Sequence, residues 1–111
     1  MKIIIYQINR ERDTRRVVFL NLKHTRIFQK SEKVDSSIYD RVYCGEVNCR
    51  SLEEVFEIFN LNRPADFHGW SLSVSDIVEV VESETIGKGF YFCDSWGFNG
   101  IDFEPEKTGI R

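Results

Sequence analysis

The stretch FHGWSLSVSDIVEVVE, from Phe67 to Glu82, decides how the fold of this chain is interpreted. Serine occupies every second position at Ser71, Ser73 and Ser75, with leucine and valine between. Because side chains alternate between the two faces of a strand, this spacing predicts an extended segment with one serine face and one apolar face. The isoleucine and valines within residues 77–81 predict a more buried continuation of that strand.

Further strands are predicted on both sides of this stretch, where β-branched and aromatic residues dominate and turn-forming residues lie between them. They cover residues 2–8, 15–20, 39–47, 89–93 and 98–103. The strand at 89–93 is expected to form a hairpin with the preceding one, and residues 94–97 a tight turn. The last eight residues, which include Pro105 and Gly109, are expected to fray.

One helix has a clear beginning. Ser51 and Glu54 have the spacing of a capping box, in which the serine hydroxyl accepts a hydrogen bond from the backbone N–H three residues later. The apolar residues Leu52, Val55 and Phe59 follow at helical spacing, which predicts an amphipathic helix at about 52–60. The segment 21–33 is ambiguous, although Leu22, Ile27 and Phe28 fit the apolar face of a short helix.

These elements predict an α+β fold: a mostly antiparallel β-sheet with the helix at about 52–60 packed on one face. A chain of 111 residues, 41% of them hydrophobic, is long enough for one domain with a core, so a single domain is expected over 1–111. The start has no signal-peptide pattern and no stretch is long enough to span a membrane. We therefore expect a cytoplasmic protein without a membrane partner.

The charge is divided unevenly along the chain. Residues 1–50 carry eleven Lys and Arg against six Asp and Glu, a net +5, whereas residues 51–111 carry four against twelve, a net −8. Two interpretations stay open: the halves neutralise each other in the fold, or they form surfaces for charged partners. The candidate partner-binding residues are Arg12, Arg15, Arg16, Lys23, Arg26, Glu79, Glu82 and Glu84.

Catalytic and metal sites are weakly indicated. Asp76 and Asp94 could approach each other across the last hairpin and hold a Mg²⁺ ion, as nucleases require. The competing interpretation is structural, because aspartate at turns bonds the backbone two residues on. The spacing of the three cysteines does not match a zinc site. No Ser–His–Asp arrangement that would involve His68 is recognisable in the sequence. We predict a non-enzymatic protein with no catalytic residue, metal or cofactor.

Two blocks carry a resemblance to a known family. Residues 64–78 read PADFHGWSLSVSDIV, and residues 91–98 read YFCDSWGF. They resemble the YodL-like domain, whose members share P-x-D-F-x-G-x-S-L-S-V-S-D followed by Ile or Val and then Val, and later Y-x-x-D-S-x-G-F. The amino-terminal half also fits the family in outline. The positions that carry the resemblance are Pro64, Asp66, Phe67, Gly69, Ser71, Ser73, Ser75, Asp76, Asp94, Ser95, Gly97 and Phe98.

The resemblance implies a function that composition and spacing do not. Domains similar to this occur on conjugative and phage-like mobile elements of Gram-positive bacteria, and some anti-CRISPR proteins directed at type II RNA-guided nucleases look similar. It therefore implies a binding protein from a mobile element that blocks guide loading or DNA entry, with the effector nuclease or its guide-RNA complex as partner. The alternative is a nucleic-acid-binding or nucleolytic accessory protein of conjugative transfer.

Overall fold

The computed structural model describes residues 1–111 and contains six strands and two α-helices. The strands are β1 (Lys2–Ile8), β2 (Tyr39–Glu46), β3 (Ile77–Glu82), β4 (Gly89–Cys93), β5 (Phe98–Ile101) and β6 (Gly109–Ile110). The helices are α1 (Leu22–Gln29) and α2 (Leu52–Leu61), and short 3₁₀ turns lie at Ser36–Ile38 and Pro105–Lys107. Neither α-helix has the length and apolar character needed to cross a membrane.

The strands form one sheet in the order β5-β4-β3-β1-β2-β6. The hairpins β3–β4 and β4–β5 are antiparallel, and β1 is antiparallel to both of its neighbours. β6, however, runs parallel to β2, which makes the sheet mixed. The α+β class and the helix at about 52–60 are confirmed, whereas the sheet is mixed and a second helix forms within 21–33. The predicted fraying of the carboxyl terminus is wrong, because residues 109–110 join the sheet.

Hydrophobic side chains cover both faces of the sheet, because the apolar residues of β1 alternate between two core clusters. Ile3 and Ile5 lie in the first cluster, which also contains Leu52, Val55 and Phe59 of α2. Tyr6 and Ile8 lie in the second cluster, together with Leu22 at the start of α1 and with Phe103. Alternate β1 residues point to opposite faces, so the two helices lie on opposite sides of the sheet.

The helix boundaries follow from their caps. Ser51 Oγ accepts a hydrogen bond from Glu54 N at 3.1 Å, as predicted, and α2 ends one residue beyond the predicted boundary. Asn21 caps α1 in the same way, its Oδ1 accepting from His24 N at 2.9 Å. The predicted apolar face of α1 is only partly right, because Leu22 is buried but Ile27 and Phe28 are 56% and 51% exposed.

One predicted strand and the first part of another are loops. Residues 15–20 do not form a strand, because the Asp13 carboxylate accepts hydrogen bonds from Val17 N and Val18 N and folds the chain back on itself. Residues 71–76 are also irregular, and β3 begins only at Ile77. The alternating serines lie in a turn, described below, whose polar groups form hydrogen bonds within the loop.

The core position of Phe59 provides a test of this packing. Phe59 is fully buried against Tyr43, with ring centroids 4.9 Å apart, whereas Phe56 on the same helix is 40% exposed. We expect Phe59→Ala to lower the free energy of unfolding by about 3–5 kcal/mol because it leaves a cavity. The control Phe56→Ala should lower it by less than about 1 kcal/mol. Urea denaturation measures both, and equal losses would contradict the assigned packing of α2.

Candidate interaction surfaces

A buried polar network lies where the first signature block meets β1. Asp76 is fully buried, and its Oδ2 accepts hydrogen bonds from Ser73 N at 2.8 Å and from Gln7 Nε2 at 3.0 Å. Gln7 Nε2 also donates to Trp70 O at 2.9 Å, and Gln7 Oε1 accepts from Trp70 N at 3.2 Å. The Gln7 amide of the central strand therefore holds the loop and its carboxylate in place.

Glycine is required at position 69 of this loop. A Cβ at Gly69 would overlap the side-chain oxygen of Gln7, so any other residue would displace either the Gln7 amide or the loop and disturb the hydrogen bonds between them. Ser73 Oγ donates to Ser71 O at 2.7 Å, and Asp76 N donates to Ser73 O at 3.0 Å, which closes a turn. These bonds use the polar groups of Ser71 and Ser73 inside the loop.

Ser75 connects this loop to three other parts of the chain. It is fully buried and has a φ of 82°, a conformation that non-glycine residues rarely adopt. Its Oγ accepts from Phe19 N at 2.9 Å, its carbonyl accepts from the Tyr39 hydroxyl at 2.7 Å, and its N–H donates to Cys93 O at 2.9 Å. These three bonds hold Ser75 in its left-handed conformation.

The second signature block is a rigid turn. Asp94 N donates to Gly97 O at 2.8 Å, and Gly97 has a φ of 80°. Asp94 Oδ1 accepts from Ser95 N and, at 3.3 Å, from Leu22 N, while Oδ2 accepts from Asn99 Nδ2. The Asp94 carboxylate has a structural role, but instead of the predicted bond to the backbone two residues on it binds the next N–H and joins the turn to the start of α1.

The remaining signature residues support the first core cluster or lie at the surface. Phe67 packs edge-to-face on Phe59 with ring centroids 4.9 Å apart, and Phe67 N donates to Pro64 O at 3.1 Å. Phe98 packs against the same cluster, whereas Asp66 is exposed. Phe67 and Phe98, together with Asp76 and Asp94, therefore have structural roles in the fold. No group of three or more His, Cys, Asp or Glu side chains is arranged to hold a metal ion.

All three cysteines are free thiols. Cys49 and Cys93 are buried, whereas Cys44 is exposed. Burial raises the pKa of the Cys93 thiol to about 12, with the nearby Asp76 and Asp94 charges acting in the same direction. Such a thiol stays protonated at neutral pH.

Some of the basic residues predicted to bind a partner form hydrogen bonds or ion pairs within the fold, and others are exposed and form none. Arg12 pairs with Asp40 and donates to Ser37 O at 3.0 Å, and Arg15 donates to Gln29 O. Arg26 donates to Glu32 O at 2.9 Å. Arg16 and Lys23, like the neighbouring Lys30, are exposed and form no ion pair.

The predicted acidic residues divide in the same way. Glu79 accepts a hydrogen bond from the buried Tyr6 hydroxyl at 2.8 Å, and burial together with this carboxylate raises the pKa of Tyr6. Glu82 and Glu84 are exposed and unpaired. Glu53, Glu54 and Glu57 of α2, part of the acidic carboxyl-terminal half, are also exposed and form no ion pair, although Glu54 Oε2 accepts a hydrogen bond from Arg50 N at 3.3 Å.

These free glutamates share one region of the surface, here called the acidic surface. The Thr85 hydroxyl donates to Arg50 O at 2.7 Å and so brings the loop after β3 to the start of α2. Its members are Glu53, Glu54, Glu57, Glu82 and Glu84. α1, on the other side of the sheet, carries exposed Lys23 and is followed by exposed Lys30, and no Asp or Glu occurs in residues 14–31. The interpretation that the two halves neutralise each other accounts for few residues, notably the Lys33–Glu104 pair at 3.3 Å.

These features define an α+β domain with a mixed six-stranded sheet and oppositely charged helices on its two sides. The family model of the YodL-like domain matches residues 2–103, and the chain therefore belongs to that family. No curated protein and no solved structure gives a significant match. The matched residues include both signature blocks and β1 to β5, and end before β6.

The buried carboxylate predicts a pH dependence of stability. Burial raises the pKa of Asp76 well above its ordinary value, although hydrogen bonds from Ser73 and Gln7 and the Arg111 charge act in the opposite direction. The Trp70 indole N–H also lowers it, yet neither that N–H nor Asp76 Oδ1 has a hydrogen-bond partner of normal geometry. The folded state therefore binds the Asp76 proton more tightly than the unfolded state.

The stabilising contribution of Asp76 is accordingly largest in acid and is lost as the pH rises from about 4 through its folded-state pKa. In Asp76→Asn this group no longer titrates, and the amide oxygen still accepts the two hydrogen bonds. We expect the unfolding free energy of the variant, relative to the wild-type chain, to increase with pH across that window. Chemical denaturation at several pH values measures the difference, and a difference that falls with pH would contradict the raised pKa.

Proposed function

We propose that this chain is a binding protein of a mobile element that inhibits a type II RNA-guided nuclease by occupying its nucleic-acid channel. The observation that carries the proposal is the acidic surface. Its five carboxylates are exposed and form no ion pair, and they lie on a helix face and an adjoining loop. A channel that holds a guide–target duplex is positively charged, so such a surface is complementary to it.

Apolar side chains among these carboxylates add a second kind of contact. Phe56 and Leu61 of α2 are 40% and 72% exposed, on the same helix as Glu53 and Glu57. Exposed aromatic and aliphatic residues provide the desolvated centre from which an interface draws most of its affinity, while the charges speed and orient association. The acidic surface therefore combines an electrostatic and an apolar contribution on one face.

The inhibitor interpretation is tested by DNA cleavage with a reconstituted type II effector, adding the protein before or after guide RNA. Inhibition is expected, with the guide RNA intact on a gel. Inhibition only when the protein is added first means competition with guide loading, and inhibition in both orders means interference with DNA entry. Trimmed guide would contradict a non-enzymatic role, and no inhibition across several effectors would contradict the proposal.

The surface responsible is tested with matched charge reversals. Glu57→Lys combined with Glu84→Lys should weaken inhibition by about tenfold or more, because like charges then meet in the channel. Lys23→Glu combined with Lys30→Glu changes the net charge equally in the opposite direction and should preserve inhibition. If the lysine pair rather than the glutamate pair abolishes inhibition, the acidic surface is not the contact.

A second candidate function, a nucleic-acid-binding accessory of conjugative transfer, is favoured by the exposed cations on and beside α1. Arg16, Lys23 and Lys30 have no carboxylate partner, so phosphates could take that place. In a mobility-shift assay with single-stranded DNA, this function requires binding that falls steeply with salt and is lost in Lys23→Glu/Lys30→Glu. Absence of binding at low salt would exclude it.

A further inference from the structure

β5 forms a free edge of the sheet. It pairs only with β4, and its sequence FNGI contains no charged residue and no proline. Lysine, proline and bulges are the usual means by which natural sheets prevent edge-to-edge pairing. At the opposite edge, by contrast, β6 ends beside Arg111, which lies 3.8 Å from the Asp40 carboxylate and stacks on Trp70. The backbone of β5 is therefore available to another strand.

A large exposed aromatic side chain stands at the beginning of β5. Trp96 is 94% exposed at the tip of the turn formed by residues 94–97. The turn itself is rigid, because the Asp94 carboxylate accepts from Leu22 N, Ser95 N and Asn99 Nδ2. A solvent-exposed tryptophan on a hydrogen-bonded turn loses little conformational entropy on binding and buries a large apolar area. Residues that anchor protein interfaces have these two properties.

A shallow cleft lies at the other end of β5. It has a volume of about 390 Å³, and its lining includes the apolar side chains of Phe90 and Ile101 and the cations Arg26 and Lys88. An indole ring in this cleft would contact the apolar pair and would lie near a cation that can stack on its face. Asp102, also in the lining, offers a carboxylate to an indole N–H.

We propose that the chain forms a two-fold symmetric dimer by antiparallel pairing of β5 with β5 of a second copy, with Trp96 of each copy seated in the cleft of the other. Antiparallel pairing places the turn end of one strand beside the Ile101 end of its partner. The anchor and the cleft lie at opposite ends of the same strand, so one symmetry operation satisfies both contacts. The resulting sheet would have twelve strands.

The charges around β5 are compatible with a second copy as the occupant. A two-fold axis places the same surface of the two copies in contact, so a surface with charges of only one sign would repel its own copy. The groove between α1 and β5 and the adjoining cleft carry both signs: Lys23, Arg26 and Lys88 against Glu32, Asp94 and Asp102. This mixture distinguishes β5 from the acidic surface on α2, which would repel its own copy.

The dimer is tested by sedimentation equilibrium over protein concentrations reaching about 1 mM. Trp96→Ala should raise the dimer dissociation constant by about thirtyfold or more, the effect expected of an aromatic anchor. Gly100→Lys should raise it as well, because a Cβ at Gly100 meets nothing within 4 Å in the monomer, yet two lysines would lie close across the axis. Leu61→Ala, at an exposed leucine of α2, is the control and should leave it unchanged.

Thermal unfolding of each variant at low concentration shows whether the monomer is intact, since none of the substituted side chains lies in the core. A chain that remains monomeric over the whole range overturns the proposal. A dimer that responds to only one of Trp96→Ala and Gly100→Lys, or to neither, overturns the paired arrangement of strand and cleft. The nuclease assay is not involved, so this result is independent of the proposed function.

Discussion

The hydrogen bonds between Gln7 and the loop that contains Asp76 are the interaction on which the rest of the structure depends. Gln7 lies on the central strand β1, points to the same face as Ile3 and Ile5, and is fully buried. Its amide N–H groups donate to Trp70 O and to the Asp76 carboxylate, and its amide oxygen accepts from Trp70 N. A buried amide must satisfy its donors and its acceptor, and this loop is what satisfies them.

The consequence extends across the sheet, because the loop continues directly into β3. Asp76 O accepts from Cys93 N at 2.8 Å and Ser75 N donates to Cys93 O, which fixes the register of β4 on β3. The Ser75 carbonyl also accepts a hydrogen bond from the Tyr39 hydroxyl of β2, and its Oγ accepts from Phe19 N in the segment before α1. One turn thereby positions two strands and the approach to a helix. Burying a carboxylate is unfavourable by itself, so its hydrogen bonds must offset part of that cost.

The sequence predicted the elements with local signals and missed those set by distant contacts. The capping box at Ser51 identified α2, and the Asp94–Gly97 turn identified the β4–β5 hairpin, because both depend on neighbouring residues. The alternating serines at 71–75 suggested a strand because the pattern has a period of two, but Gln7, which is far away in sequence, turns that segment into a loop. β6 was missed for a similar reason: two residues carry no periodicity, and their pairing depends on Asp40 and Arg111.

The sequence does not show which charged side chains are exposed and which are paired within the fold. Arg12 and Glu79 looked free in the sequence, yet Arg12 fixes Asp40 and Glu79 accepts from Tyr6. The charge asymmetry between the two halves of the chain nevertheless has a structural counterpart. α1 and α2 contribute to core clusters on opposite faces of β1, so their solvent-exposed sides point away from each other. The sheet lies between the two charged helices, and no ion pair joins a side chain of α1 to one of α2.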